Sequence, residues 1–340
     1  MSEIFKDEKQ YLKEYFALDD QRRREWYKYL STVCNGSSMK PRVLREGEKW
    51  ESIAFDGMMI QDTILSAMVQ GGVPNCLRRK IWLECSGAIH SLTVDSGYYS
   101  RLVEKYEGQQ SNATHDVEKD LLRSMPAHPY FQQGGEGLNS LRRVLIAYSR
   151  RNKLVGYCQS MNFIAAMFLI FMTEEEAFWL LATVIERLVP QYYRKAMVGS
   201  LAEQKVFEQL VIKYFPALSK HLEAHNFQIA IVTQPWFLCL FIGYLPLSVV
   251  LRVFDCFFYE GSVFLFKVAL SMVKVLEKDL LESNSMMELI TIFKRREFTA
   301  EQILSVTFST LFVHSIFFDV ESKRLRSDTL KKLIRKQLGD

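Results

Sequence analysis

The chain has 340 residues, 49% of them hydrophobic and 24% charged, close to the averages of folded globular proteins, which excludes a largely disordered chain. Lys and Arg number 43 against 39 Asp and Glu, a net charge of +4 that is too mild to indicate nucleic acid as a partner. The six cysteines are scattered, with no CxxC pair and no histidine at ligand spacing, and so indicate neither a zinc site nor a disulfide framework.

Residues 1–30 alternate charges with aromatics and predict a helix with exposed faces. The first residues, "MSEIFKDEKQYLKEYF", lack the apolar core of a signal peptide, so a cytoplasmic chain is expected and the sequons at Asn35 and Asn112 stay unmodified. "CNGSSMKP", residues 34–41, is a loop by its turn chemistry, and Gly71-Gly72-Val73-Pro74 is a second break. Residues 1–66 are thus expected to form an N-terminal helical and loop extension.

From residue 67 to 285 the apolar spacing is that of helices, with little of the alternation that strands show. Leu138, Leu141, Leu145 and Tyr148 mark one stripe; Phe207, Leu210, Val211, Tyr214 and Leu218 mark another. "TEEE", residues 173–176, fits a capping box with acidic residues at the positive end of a helix dipole. Pro126, Pro190, Pro216 and Pro246 divide the series into helices of moderate length. Two apolar runs, 163–172 and 236–251, fall short of the about 18 residues a membrane span needs and are expected as buried helices. Residues 286–340 form a C-terminal helical extension whose end, "SKRLRSDTLKKLIRKQLGD", carries seven Lys or Arg and the spaced leucines Leu325, Leu330 and Leu333. Such a helix either lies on anionic membrane through its basic segment 323–336 or is a solvated terminal helix.

Conventional catalytic signals are absent from the sequence: the histidines have no HExxH or GxSxG context, and there is no Walker phosphate loop and no GxGxxG. The stretch "VEKDLLRSMP", residues 117–126, is different. Val117 and Leu121 share a helix face, Asp120 and Arg123 are three apart and can meet, and Pro126 and Pro129 stop the helix just beyond, leaving Arg123 at an element end. The pair either staples a helix turn or orients a guanidinium toward something outside. In "VGYCQSMNFIAAMF", residues 155–168, Gln159 and Asn162 stand at the entrance to an apolar helix just after a glycine.

Together with "GGVPNCLRRKIWLECSG" these stretches resemble the TBC domain, the family of GTPase-activating proteins for Rab-type small GTPases. The resemblance runs from about residue 71 to 283, nearly two thirds of the chain. The family's opening pattern is met by Gly72, Val73, Pro74, Leu77, Arg78 and Trp82, its IxxDxxR by Val117, Asp120 and Arg123, and its YxQ by Tyr157 and Gln159. "QPWFLCLF" and "RVFDCFFYEG" are similar to its later helices. Departures are Val117 for isoleucine, Ser124 where threonine is commoner, Ser160 where glycine is commoner and Phe254 where tryptophan often stands.

The resemblance implies an all-α, multi-helix TBC-like domain flanked by helical extensions, acting in vesicle trafficking on a Rab-family small GTPase. It implies that Arg123 is an arginine finger and Gln159 a glutamine finger, supplied in trans, with Asp120, Tyr157, Asn162, Arg78 and Trp82 in support. No cofactor of the chain's own is implied, since GTP and Mg2+ belong to the partner GTPase, and no nucleic acid is expected. The alternative is a Rab-binding scaffold in membrane traffic with little catalysis. In either case the expected location is cytoplasmic and peripheral on endomembranes.

Overall fold

The structure is a computed structural model that describes residues 18–30, 63–194, 196–295, 297–308, 325–329 and 332–333. The loop expected at 34–41 and half of the basic segment lie outside these residues. Among the described residues there is no strand. Residues 18–30 form α1. There follow α2 (Thr63–Gly71), α3 (Asn75–Ser86), α4 (Ala88–Val94), α5 (Tyr98–Tyr106), α6 (Asn112–Leu121), α7 (Glu136–Arg151), α8 (Met161–Leu169) and α9 (Glu174–Thr183). The second half holds α10 (Val198–Tyr214), α11 (Pro216–Ala224), α12 (Ala230–Leu238), α13 (Leu247–Glu260), α14 (Val263–Glu282), α15 (Met286–Phe293) and α16 (Ala300–Thr307).

Local chemistry accounts for many of these boundaries. Thr173 and Glu176 form the capping box at the start of α9. Each acidic residue of the run is then taken up: Glu174 by Arg143 and Tyr99, Glu175 by the Gly97 N–H at 2.9 Å, and Glu176 by Arg79 through bonds of 2.8 to 3.0 Å. Leu138, Leu141, Leu145 and Tyr148 are buried along α7, as their spacing predicts. The stripe from Phe207 to Leu218 crosses two helices, because Pro216 has no N–H to continue α10 and instead opens α11. The run 236–251 is likewise not one helix. α12 stops at Leu238, the chain turns through Leu240, Phe241 and Gly243 at φ of 46°, 65° and 80°, and α13 begins after Pro246. Most of its apolar residues are still buried, Leu240 and Phe241 of the turn among them, while Leu247 at the start of α13 is exposed.

α7, α8 and α9 pack together, α13 packs on α3 and α2, and α14 carries α15 and α16. At the junction of α3, α8 and α13 the Trp82 ring meets Phe168, Phe171, Phe254 and Phe258 at centroid distances of 5.1 to 6.4 Å. Beside it the Asp255 carboxylate accepts from Arg78 Nε at 3.1 Å and Nη2 at 3.2 Å, from Trp82 Nε1 at 2.8 Å and from the Val73 N–H at 3.1 Å. A buried charge is tolerated only when it is paired and its lone pairs are used, and here both oxygens are. Gly72, at φ +110°, passes so near that an added Cβ would lie 2.7 Å from Arg252 Nε, and its carbonyl accepts from Trp26 Nε1 of α1 at 2.8 Å.

Of the basic segment, Arg326 turns inward: it pairs with the buried Glu203 at 2.5 Å, donates to Ser262 Oγ at 2.8 Å and lies 5.7 Å over the Phe266 ring. Part of the predicted positive charge is therefore spent on the fold, whereas Lys332 is exposed.

Candidate functional site

α6 is started by Ser111, whose side chain accepts from the Thr114 N–H, and is fastened by the burial of Val117 and Leu121. It stops at Leu121. The Arg123 N–H still reaches the Asp120 carbonyl at 3.3 Å and the Ser124 N–H the Leu121 carbonyl at 3.0 Å, and Met125 at φ 49° then leads the chain away. Asp120 thus sits in the last helical turn with its side chain 5% exposed, and Arg123 just past it, ion-paired to Asp120 with its side chain 50% exposed.

The second oxygen of Asp120 accepts from the Tyr157 hydroxyl at 2.5 Å. Burial first, and then that bond to a carboxylate, raise the Tyr157 phenol above its ordinary range, so the proton stays on the tyrosine. One negative charge is therefore shared between a neutral donor and a guanidinium. Since arginine carries five N–H donors, the pair to Asp120 orients Arg123 without exhausting it.

Tyr157 arrives on the loop from α7 to α8. The Asn152 carbonyl accepts from Val155 and Gly156 at 3.2 and 2.7 Å, and Gly156 at φ 67° makes the turn. Two residues after Tyr157, Gln159 is exposed and its side chain has no hydrogen-bond partner among the described residues. Ser160 follows at φ 92°, a region costly to a residue with a Cβ, by about 1 to 3 kcal/mol. It is held there by polar contacts: its N–H donates to Asn162 Oδ1 at 3.1 Å, and its hydroxyl accepts from Cys239 Sγ at 3.3 Å. The other end of the Asn162 amide donates to Ser124 Oγ at 2.8 Å, and Ser124 donates in turn to the Asp120 carbonyl at 2.7 Å.

Among the residues singled out from sequence, Asp120, Arg123, Tyr157 and Asn162 are joined in one bonded network, and Gln159 projects from the same loop. Arg78 and Trp82 are not part of it; they lie buried on α3 around Asp255. Sequence reasoning missed Ser124 and Cys239 as members. Ser124 carried a weak local signal, a hydroxyl residue four positions after a helical carbonyl it can cap; Cys239 carried none.

Two apolar side chains flank the network in sequence and stand out from the surface, Leu122 at 59% and Leu154 at 76% exposure. Burial pushes the Cys158 and Cys239 thiols up, which keeps them protonated and poorly nucleophilic. Among the described residues no cluster of His, Cys, Asp or Glu is arranged to hold a metal ion, and no helix is long and apolar enough to cross a membrane. The arrangement can deliver a fixed positive charge and an unengaged amide to a molecule outside the chain.

Comparison with known proteins bears on what that molecule is. Residues 75–281 match the family model described as Rab-GTPase-TBC domain. The Growth hormone-regulated TBC protein 1 of Xenopus laevis is 36% identical over 300 residues, covering 87% of this chain and 85% of that one. An Emericella nidulans protein named as a GTPase-activating protein is 40% identical over 248 residues, 73% of this chain, but the match spans only 22% of that longer relative. Among solved structures, the Chlamydomonas flagellar RabGAP TBC domain superposes with a TM-score of 0.67 at 33% identity, covering 75% of this chain and 86% of that one. The Ypt/Rab-GAP domain of Gyp1p does so at 0.65 and 20% identity over 79% of this chain and 97% of that one, a likeness of fold.

Proposed function

The chain belongs to the RabGAP-TBC family, and on that premise we propose that it accelerates GTP hydrolysis by a Rab-type small GTPase through Arg123 and Gln159, supplied in trans. One observation carries the reading: Arg123 is half exposed on a buried anchor, oriented by Asp120 and Tyr157 yet with donors to spare.

Hydrolysis of a phosphoric anhydride spreads negative charge over the transferred phosphoryl oxygens, so a protein helps by bringing preorganised positive charge and by positioning water. The planar fork of Arg123 suits the first task because it is always charged and can donate to two oxygens together. The amide of Gln159 suits the second because it accepts from water and donates to a phosphate oxygen at once. The nucleotide and its Mg2+ come with the GTPase. Leu122 and Leu154 supply apolar contact beside the two fingers. Basic residues of the tail other than Arg326, Lys332 among them, are proposed to touch anionic endomembrane from the cytoplasmic side.

Single-turnover hydrolysis by a panel of purified Rab proteins tests the reading, with the wild-type chain, Arg123→Ala and Gln159→Ala. Acceleration of at least one Rab that each substitution largely abolishes supports it. Binding without acceleration would assign the chain to the scaffold class and reduce Arg123 to the partner of Asp120. Liposome co-sedimentation with and without residues 320–340 tests the tail, and equal binding by both forms rejects the membrane contact.

A further inference from the structure

The two finger loops are not independent. Reading from one to the other, the Ser160 N–H donates to Asn162 Oδ1, Asn162 Nδ2 donates to Ser124 Oγ, and Ser124 Oγ donates to the carbonyl of Asp120, at 3.1, 2.8 and 2.7 Å. The bond polarity is forced. Ser124 has one hydroxyl proton, and with that proton on the Asp120 carbonyl its oxygen must accept from the amide. The amide nitrogen of Asn162 is thereby directed at Ser124, which leaves its oxygen for the Ser160 N–H. Ser124 and Asn162 are both fully buried, so no water competes for these positions. At one end the chain of bonds holds Ser160 at φ 92°, the residue directly after Gln159; at the other it holds the carbonyl of the residue that anchors Arg123.

We propose that Ser124 and Asn162 are positioning residues that couple the geometry of Gln159 to that of Arg123, so that the two fingers are set as one unit. The proposal rests on the two-finger reading given above and adds a pair that touches neither nucleotide nor water. Neither residue meets the partner, so binding should be spared while the chemical step suffers. Reactive geometry is steeply sensitive to small displacements, and losing one link should lower kcat by about 10-fold with KM little changed. Because each link serves the same unit, the double substitution should cost about as much as one alone.

The test measures kcat and KM with the responsive Rab for wild type, Ser124→Ala, Asn162→Ala, the double variant and Ser124→Thr, each alongside its melting temperature and the hydrogen exchange of the Ser160 amide. The expected result is a fall in kcat for both alanine variants, no further fall in the double, and recovery of wild-type kcat in Ser124→Thr, which keeps the hydroxyl. Ser124→Ala should also speed exchange at Ser160, a residue that Ser124 does not touch. Should Asn162→Ala fail to fold, the comparison of Ser124→Ala with Ser124→Thr decides alone. Wild-type kcat in Ser124→Ala, where Arg123→Ala and Gln159→Ala lose the rate, overturns the coupling and leaves the fingers standing. Wild-type rates in Arg123→Ala and Gln159→Ala overturn both.

Discussion

Asp120 and Asp255 are built alike and used differently. Each is a buried aspartate on a helix that receives an arginine from one side and an aromatic donor from another, Arg123 with the Tyr157 hydroxyl in the first case and Arg78 with the Trp82 indole in the second. At Asp255 the arginine side chain is 1% exposed and the pair is closed off by the Val73 N–H, so its charge is spent within the protein. Asp120 stands in the last turn of its helix, the arginine lies just past the end and is half exposed, and the charge remains available. The lesson is that residue type and pairing do not distinguish a structural arginine from a deliverable one; the position of the pair relative to the end of its helix and to solvent does.

The largest expected effect would break the comparison at its open end. Arg123→Ala should lower the stimulated hydrolysis rate by about 10³-fold or more, the scale of arginine fingers, and Arg123→Lys should restore little because it lacks the planar fork. Stability should change by only about 1 kcal/mol, since Tyr157 still donates to Asp120 and the lost pair was exposed to water on one side. Rate assays beside denaturant titrations check both halves.

Arg78→Ala is the mirror experiment. It leaves the Asp255 charge buried with too few donors, and should cost about 3 to 5 kcal/mol in a urea titration while the folded fraction keeps its activity. A rate defect larger than the unfolded fraction would show that the two aspartates are not separate in function. Trp82→Phe, which removes the indole donor but keeps an aromatic ring among Phe168, Phe171, Phe254 and Phe258, should cost about 1 to 3 kcal/mol.

A third kind of acid lies between these extremes and gives the smallest effect. Burial alone would raise the carboxyls of Glu174 and Glu176, but Arg143 and Tyr99 on the first, and Arg79 and Thr173 on the second, hold both below their ordinary value of 4.5. A carboxylate depressed by folding contributes its full stability above the unfolded value and loses it as pH falls through the folded one. The pairs should therefore weaken only below about pH 4.5. Arg79→Gln or Arg143→Gln should slightly lower the melting temperature at neutral pH, flatten the acid limb of its pH profile in that window, and leave the lowest pH values little changed.

Much of this molecule is written within a few residues at a time. The helical period, the capping box at Thr173, the breaks at Gly71-Gly72 and Pro216, and the placing of Arg123 at a helix end all follow from neighbours within one or two turns, where side chains and backbone interact directly. The types of residue at the site, an arginine three after an aspartate and a glutamine before an apolar helix, were legible in the same way. What the tertiary structure alone decided is which groups meet across long stretches of chain. Arg78 finds Asp255 at a separation of 177 residues, Asn162 finds Ser124 at 38, Ser160 finds Cys239 at 79, and Arg326 of the basic tail finds Glu203. The same packing turned the apolar run 236–251 into a buried turn between two helices. Such pairings leave no period in the sequence, because a buried polar group specifies only that some partner must satisfy it, and the packing of the helices determines which one comes within reach.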